Sequence, residues 1–218
     1  MRWVEELHAA IGTGTAWRRS AGELPVSDRV AGLAFLPLVG GVVGVIAAVA
    51  GAIGAMWTPA GGALLAVVVL EASAGRRMNR AGSVAAVLKA AALLAVPAAG
   101  RGVPLVLAAA LGRWAVVVQC YGGRPASGAD ASPLVGRARF REFGVASVTA
   151  IGGALVALDA LGLLAVLGTA LATVGLRTVA YRRGTGLGRS ALEWTETVVE
   201  AVVLAVLAGV ATVMRISR

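Results

Sequence analysis

VAGLAFLPLVGGVVGVIAAVAGAIGAMWTPAGGALLAVVVL, residues 30–70, contains no charged side chain. A membrane-spanning helix needs about 20 mainly apolar residues, so this one stretch is long enough for two. It divides at WTPAGG, residues 57–62, where proline and paired glycines signal a turn. The rest of the 218-residue chain has the same character: 58% of it is hydrophobic, 14% is charged and the mean hydropathy is +0.84. An ordinary soluble domain carries about 25% charged residues, and a buried soluble core would need more polar surface than this composition supplies. The apolar runs do not alternate as strands do, so helices are expected rather than a barrel. The sequence reads as an all-α, polytopic membrane helix bundle of about six to seven transmembrane helices. It forms a single integral-membrane domain over residues 1–218, with a cytoplasmic N-terminal arm at 1–30 and the helix bundle at 31–214.

Working outward from 30–70 gives seven apolar segments, at roughly 31–56, 60–72, 82–99, 103–121, 143–158, 160–180 and 197–214. The second is short and must borrow residues from the turn before it. Glycine and alanine recur throughout, and small residues let helix backbones approach closely in lipid, where packing drives association. The formal net charge is +9. Such an excess in a soluble domain would suggest nucleic acid, but here only Lys89 is a lysine and most arginines fall between the apolar segments. With the N-terminus in the cytoplasm and seven crossings, fourteen arginines lie in inside loops, among them Arg18, Arg19, Arg76 and Arg77, and three (Arg101, Arg215 and Arg218) lie outside. That asymmetry follows the positive-inside rule and places the chain in the inner, cytoplasmic membrane, with the lipid bilayer rather than nucleic acid as its environment. A six-helix count would bring the C-terminal RISR inside instead. The start of the chain, MRWVEELHAAIGTGTAWRRS, lacks the long apolar core of a signal peptide and carries Glu5 and Glu6 early.

Residues able to do chemistry are few. Cys120 is the single cysteine, which excludes an intrachain disulfide and suits a packed small residue. His8 is the single histidine and lies in the N-terminal arm, so no His/Cys metal site can be built. The one acidic cluster is ALEWTETVVE, 191–200, whose Glu193, Glu196 and Glu200 share a helical face. It reads either as a cation-binding face or as the solvated first turns of the last helix. Before it, YRRGTGLGRS, 181–190, is a glycine-rich basic loop able to donate backbone N–H groups to a phosphate or to act as a simple cytoplasmic turn; it lacks the Walker A lysine. Arg177 lies near a segment end, where snorkelling is expected. Arg113 lies mid-segment, where an arginine binds a phosphate bidentately or pairs with an acid from another helix, Glu71 being one such acid. The guanidinium of Arg113 is expected to face the bundle interior within reach of 181–196.

Four stretches in order resemble the cobalamin synthase family, the adenosylcobinamide-GDP ribazoletransferases of vitamin B12 assembly. FLPLVGGVVGV, 35–45, is similar to that family's early FPLVG-type segment. NRAGSVAAVLKAAALL, 79–94, resembles its SRIGTFG-type segment. LGRWAVVVQCYGGRPASG, 111–128, resembles its GRW-type helix and following arginine-bearing loop. GTGLGRSALEWTETVVEAVVLAV, 184–206, resembles its final glycine-rich loop and glutamate-bearing helix. The resemblance implies a transferase joining activated cobinamide to α-ribazole or its phosphate with release of GMP, dependent on Mg²⁺. It implies a corrinoid nucleotide and α-ribazole as ligands, and a homo-oligomer or other membrane-bound assembly enzymes as partners. Carried onto this chain, it gives Arg80, Arg113, Arg124 and Arg183 to substrate phosphates and Glu71, Glu193 and Glu196 to the metal, with no catalytic residue assigned. The chain departs from the family at two places. VVVLEASAGRRMNRAG, 67–82, lacks the aspartate-rich DGLADxxDG stretch, and no aspartate follows Asp159. Those losses imply reduced or absent activity, because displacement at a diphosphate is chiefly a problem of charge neutralisation. Two alternatives therefore stand beside the transferase: a non-catalytic scaffold or corrinoid-binding partner derived from the family, and a small transporter-like protein.

Overall fold

The computed structural model describes residues 2–15, 24–74 and 80–216. Among these, every regular element is helical: α1 Arg2–Gly14, α2 Val26–Gly32, α3 Leu36–Ala55, α4 Pro59–Ser73, α5 Arg80–Ala95, α6 Gly102–Cys120, α7 Phe140–Leu158, α8 Ala160–Arg182 and α9 Arg189–Ile216. Arg18, Arg19, Arg76, Arg77 and Arg218 lie outside the described residues. Helix α2 runs through a 3-10 turn into α3, making one apolar span, Val26–Ala55. With Ala98–Cys120, Phe140–Leu158, Ala160–Arg182 and Arg189–Val213 it makes, among the described residues, five helices long and apolar enough to cross a membrane, so the chain is a membrane protein by length and composition. The remaining two apolar helices, Pro59–Ser73 and Gly82–Ala95, are shorter. At about 1.5 Å per residue the 15 residues of α4 fall short of a hydrocarbon core about 30 Å thick.

The WTPAGG stretch is mostly helix rather than turn. Thr58 Oγ1 accepts a hydrogen bond from Gly61 N–H at 2.8 Å, which caps the helix, and Pro59 occupies its first position, where a missing N–H costs nothing. The reversal is confined to residues 56–58. Between α7 and α8 the break is a single residue, Asp159, at φ 48° and ψ −129°. Gly162 then lies so close to the end of α7 that a Cβ there would sit 2.1 Å from the Ala154 carbonyl oxygen.

Helix α6 is the hub, packed against α3, α7, α8 and α9, while α4 covers α3 and α5 lies on α4 and α9. The α3–α6 seam rests on Gly40 and Gly44. A Cβ on Gly40 would lie 2.4 Å from Ala109 O, and one on Gly44 would lie 2.5 Å from Val106 Cα. This is the close backbone approach that small residues four apart permit in lipid. Outward, α3 presents Val42, Val49 and Ile53, α5 presents Val87 and Leu88, and α7 presents Val156, all exposed. Such a continuous apolar exterior suits acyl chains and would be a liability in water.

Candidate functional site

Two arginine-bearing connections, 121–139 and 183–188, meet at one end of the bundle. Arg141, at the start of α7, makes a bidentate pair with Glu6 of α1, at 2.9 and 3.2 Å. The 121–139 connection is folded onto the 183–188 connection: Leu187 N–H donates to Arg124 O at 2.9 Å, and Ala126 N–H donates to Leu187 O at 3.1 Å. Asp130 reaches the start of α9, where its carboxylate accepts from the Ser190 amide at 2.9 Å and the Ser190 hydroxyl at 2.6 Å. The glycine-rich stretch 181–190 is therefore a pinned corner rather than a flexible turn. Its Leu187 and Ser190 amides already have acceptors and are not offered to a phosphate.

Inside the bundle, five charged side chains form a chain of alternating sign. Lys89 on α5 is fully buried, and its Nζ donates to Glu71 Oε1 of α4 at 2.6 Å and to Glu200 Oε2 of α9 at 2.5 Å. Glu200 Oε1 also lies 3.9 Å from Arg113 Nη1, and Arg113 Nη1 lies 3.5 Å from Glu196 Oε1. The same Nη1 donates to Ala109 O at 3.2 Å. Gly112 makes room for this arrangement, since a Cβ there would lie 2.9 Å from Glu200 Cγ. A charge this deep survives only with a partner and hydrogen bonds; each cation here has a carboxylate from a different helix.

A second polar cluster lies further along α6. Gln119 Nε2 donates to Thr173 O at 3.1 Å and to Thr195 Oγ1 at 3.3 Å. Arg177 Nε donates to Gln119 Oε1 at 2.9 Å, and Arg177 Nη2 donates to the carbonyls of Val118 and Tyr121. Arg177 thus satisfies the last carbonyls of α6. Cys120 is free and buried.

Among the described residues assigned to phosphate, Arg113, Arg124 and Arg183 have different surroundings. Arg113 is buried in the ionic chain and faces the interior beside Glu196. Arg124 is exposed, lies over the Tyr181 ring at 5.8 Å and donates its amide N–H to no phosphate, because the Tyr181 hydroxyl accepts it at 2.8 Å. Arg183 lines a separate hollow with Asp130 and Thr185. The side chain of Arg80 lies outside the described residues. Of the acids, Glu71 and Glu196 join the ionic chain, while Glu193 lines a cavity of about 300 Å³ together with Glu196, Arg29 and Arg189. Glu196 and Glu200 of the 191–200 cluster therefore face the interior and meet cations of the chain itself. Lys89, Arg29 and Arg189 were not singled out from sequence. Lys89 carried a signal, being the one lysine and lying inside an apolar run.

Mg²⁺ takes near-octahedral oxygen ligation, using one or two carboxylates with waters and phosphates. Among the described residues no group of three or more His, Cys, Asp or Glu side chains can hold a metal. The interior site where Glu71, Glu196 and Glu200 lie already contains the Lys89 ammonium and the Arg113 guanidinium. These residues do not fit a divalent cation. No family model, curated protein or solved structure matches the chain.

Proposed function

We propose that this chain is a membrane-embedded binding protein derived from the cobalamin synthase family, one that takes a phosphate-bearing corrinoid ligand at its arginine-rich end without Mg²⁺-dependent transfer. The resemblance of four ordered stretches supports the ancestry. The observation that carries the loss of transfer is the Lys89 ammonium between Glu71 and Glu200. In that position a fixed internal cation neutralises Glu71 and Glu200, where a transferase of this kind needs a divalent ion to neutralise a diphosphate. The arginine-rich end, which includes Arg29, Arg124, Arg141, Arg183 and Arg189, is the cytoplasmic end on this reading. Helices α4 and α5 complete a seven-helix bundle with the C-terminus on the far side of the cytoplasmic membrane.

Purified protein incubated with adenosylcobinamide-GDP, α-ribazole and Mg²⁺ tests the reading. The expected result is a spectral shift on corrinoid binding with no release of GMP. GMP release abolished by Arg113→Ala would establish the transferase instead. Absence of any corrinoid binding would remove the family reading altogether. Orientation is checked separately by labelling introduced cysteines, because Cys120 is buried and gives little background. Ser127→Cys should react from the cytoplasmic side and Ala160→Cys from the opposite side.

A further inference from the structure

The cavity above the ionic chain is bipolar. Two guanidinium-bearing residues, Arg29 from α2 and Arg189 from the start of α9, lie on its wall with two carboxylates, Glu193 and Glu196, and the rest of the lining includes the apolar side chains of Leu134 and Leu192 and the hydroxyl-bearing Thr13 and Ser132. Its volume of about 300 Å³ is at the lower end of the range for small-molecule sites, about 300–1,000 Å³. Arg29 Nε is buried and has no hydrogen-bond partner among the described residues. A buried donor without an acceptor is rare in folded proteins and calls for an explanation, because leaving such a group unsatisfied costs about 1–3 kcal/mol or more. An acceptor brought by a ligand supplies one.

We infer that this cavity binds a small zwitterion made of a phosphate and a primary ammonium, such as an aminoalkyl phosphate or the headgroup of a phosphatidylethanolamine-type lipid. The phosphate is the group that guanidinium side chains recognise bidentately, and it supplies the acceptor that Arg29 Nε lacks. A bare anion would be opposed by Glu193 and Glu196 on the same wall. An ammonium on the same ligand turns that opposition into attraction, and a carboxylate has lone pairs enough to accept from it while retaining its contacts within the protein. The apolar side chains accommodate the short alkyl link between the two charges. The inference goes beyond the corrinoid reading and does not depend on it, since it follows from the lining of this cavity alone.

The test uses purified full-length protein in a detergent free of phosphate and amine, with binding followed by calorimetry. Phosphoethanolamine is compared with inorganic phosphate, ethanolamine and phosphocholine. Phosphoethanolamine should bind about tenfold tighter than inorganic phosphate, the factor one charge-assisted hydrogen bond supplies. Phosphocholine, which has no ammonium N–H, should lose most of that advantage. Glu193→Gln should bring phosphoethanolamine and phosphocholine together, and Arg29→Met should abolish binding of both, with Arg29→Lys intermediate. Size-exclusion profile and helical circular dichroism confirm that the variants are folded. Protection of the protein by phosphatidylethanolamine nanodiscs over phosphatidylglycerol ones, with no effect of the free compound, assigns the ligand to a lipid headgroup. Competition by the free compound assigns a soluble ligand. Equal affinity for phosphate and phosphoethanolamine, unchanged binding in folded Arg29→Met, or no binding in either detergent or nanodisc overturns the inference. Loss of corrinoid binding alone leaves these results unaffected.

Discussion

Replacing Lys89 with methionine keeps the length and apolar body of the side chain but deletes its charge. In the native bundle Nζ is fully buried and bridges Glu71, itself 7% exposed, and Glu200, 1% exposed. The substitution leaves two interior carboxylates facing each other without the ammonium between them. Removing one partner of a buried pair costs about 3–5 kcal/mol, or roughly two to three and a half decades in the unfolding constant. Glu200 retains Arg113 at 3.9 Å, which keeps the expected loss within that range rather than above it. The measurement is reversible unfolding in mixed micelles, followed by tryptophan fluorescence and far-ultraviolet circular dichroism. A triple variant, Lys89→Met with Glu71→Gln and Glu200→Gln, removes both carboxylate charges as well and should recover most of the lost stability, since replacing a buried ionic set is often near neutral. A single variant within about 1 kcal/mol of the parent, below the cost of a broken buried pair, would refute the reasoning. So would a triple variant no more stable than the single one.

Three further outcomes follow from local geometry. Gly40→Ala should lower stability by about 1–3 kcal/mol through overpacking, because its Cβ would meet the α6 backbone at 2.4 Å, whereas Gly41→Ala, with nothing within 4 Å, should be silent in the same unfolding assay. Asp159→Gly should raise stability by about 1 kcal/mol by relieving a non-glycine residue at φ 48° and ψ −129°, visible as a higher thermal midpoint. Asp130→Ala should cost about 1–2 kcal/mol, as loss of a helix cap does, and should speed amide hydrogen exchange at the start of α9. Asp130→Asn, which keeps an acceptor for the Ser190 amide, should restore most of the protection.

How much of this was legible in the sequence depends on whether the quantity is local. The apolar segments at 143–158 and 160–180 become α7 and α8 with Asp159 alone between them, because cumulative hydropathy and a single polar residue are read along one chain. The glycine and alanine that recur throughout the chain likewise announced close helix packing, and the α3–α6 seam at Gly40 and Gly44 is one instance. Arg113 was legible as an interior residue for the same reason, a charge inside an apolar run.

Composition and periodicity also determined by themselves that this chain is a bundle of apolar helices with arginine-rich connections, since transfer free energy accrues residue by residue. Only the tertiary structure decided which charges meet. Lys89 pairs with Glu71, 18 residues away, and with Glu200, 111 residues away, and Arg29 comes to share a cavity with Glu193. Those meetings depend on the depth and rotation of each helix against its neighbours, which are set by packing between segments. That is why Glu71 and Glu196 read as metal ligands in one dimension and as partners of a lysine and an arginine in three.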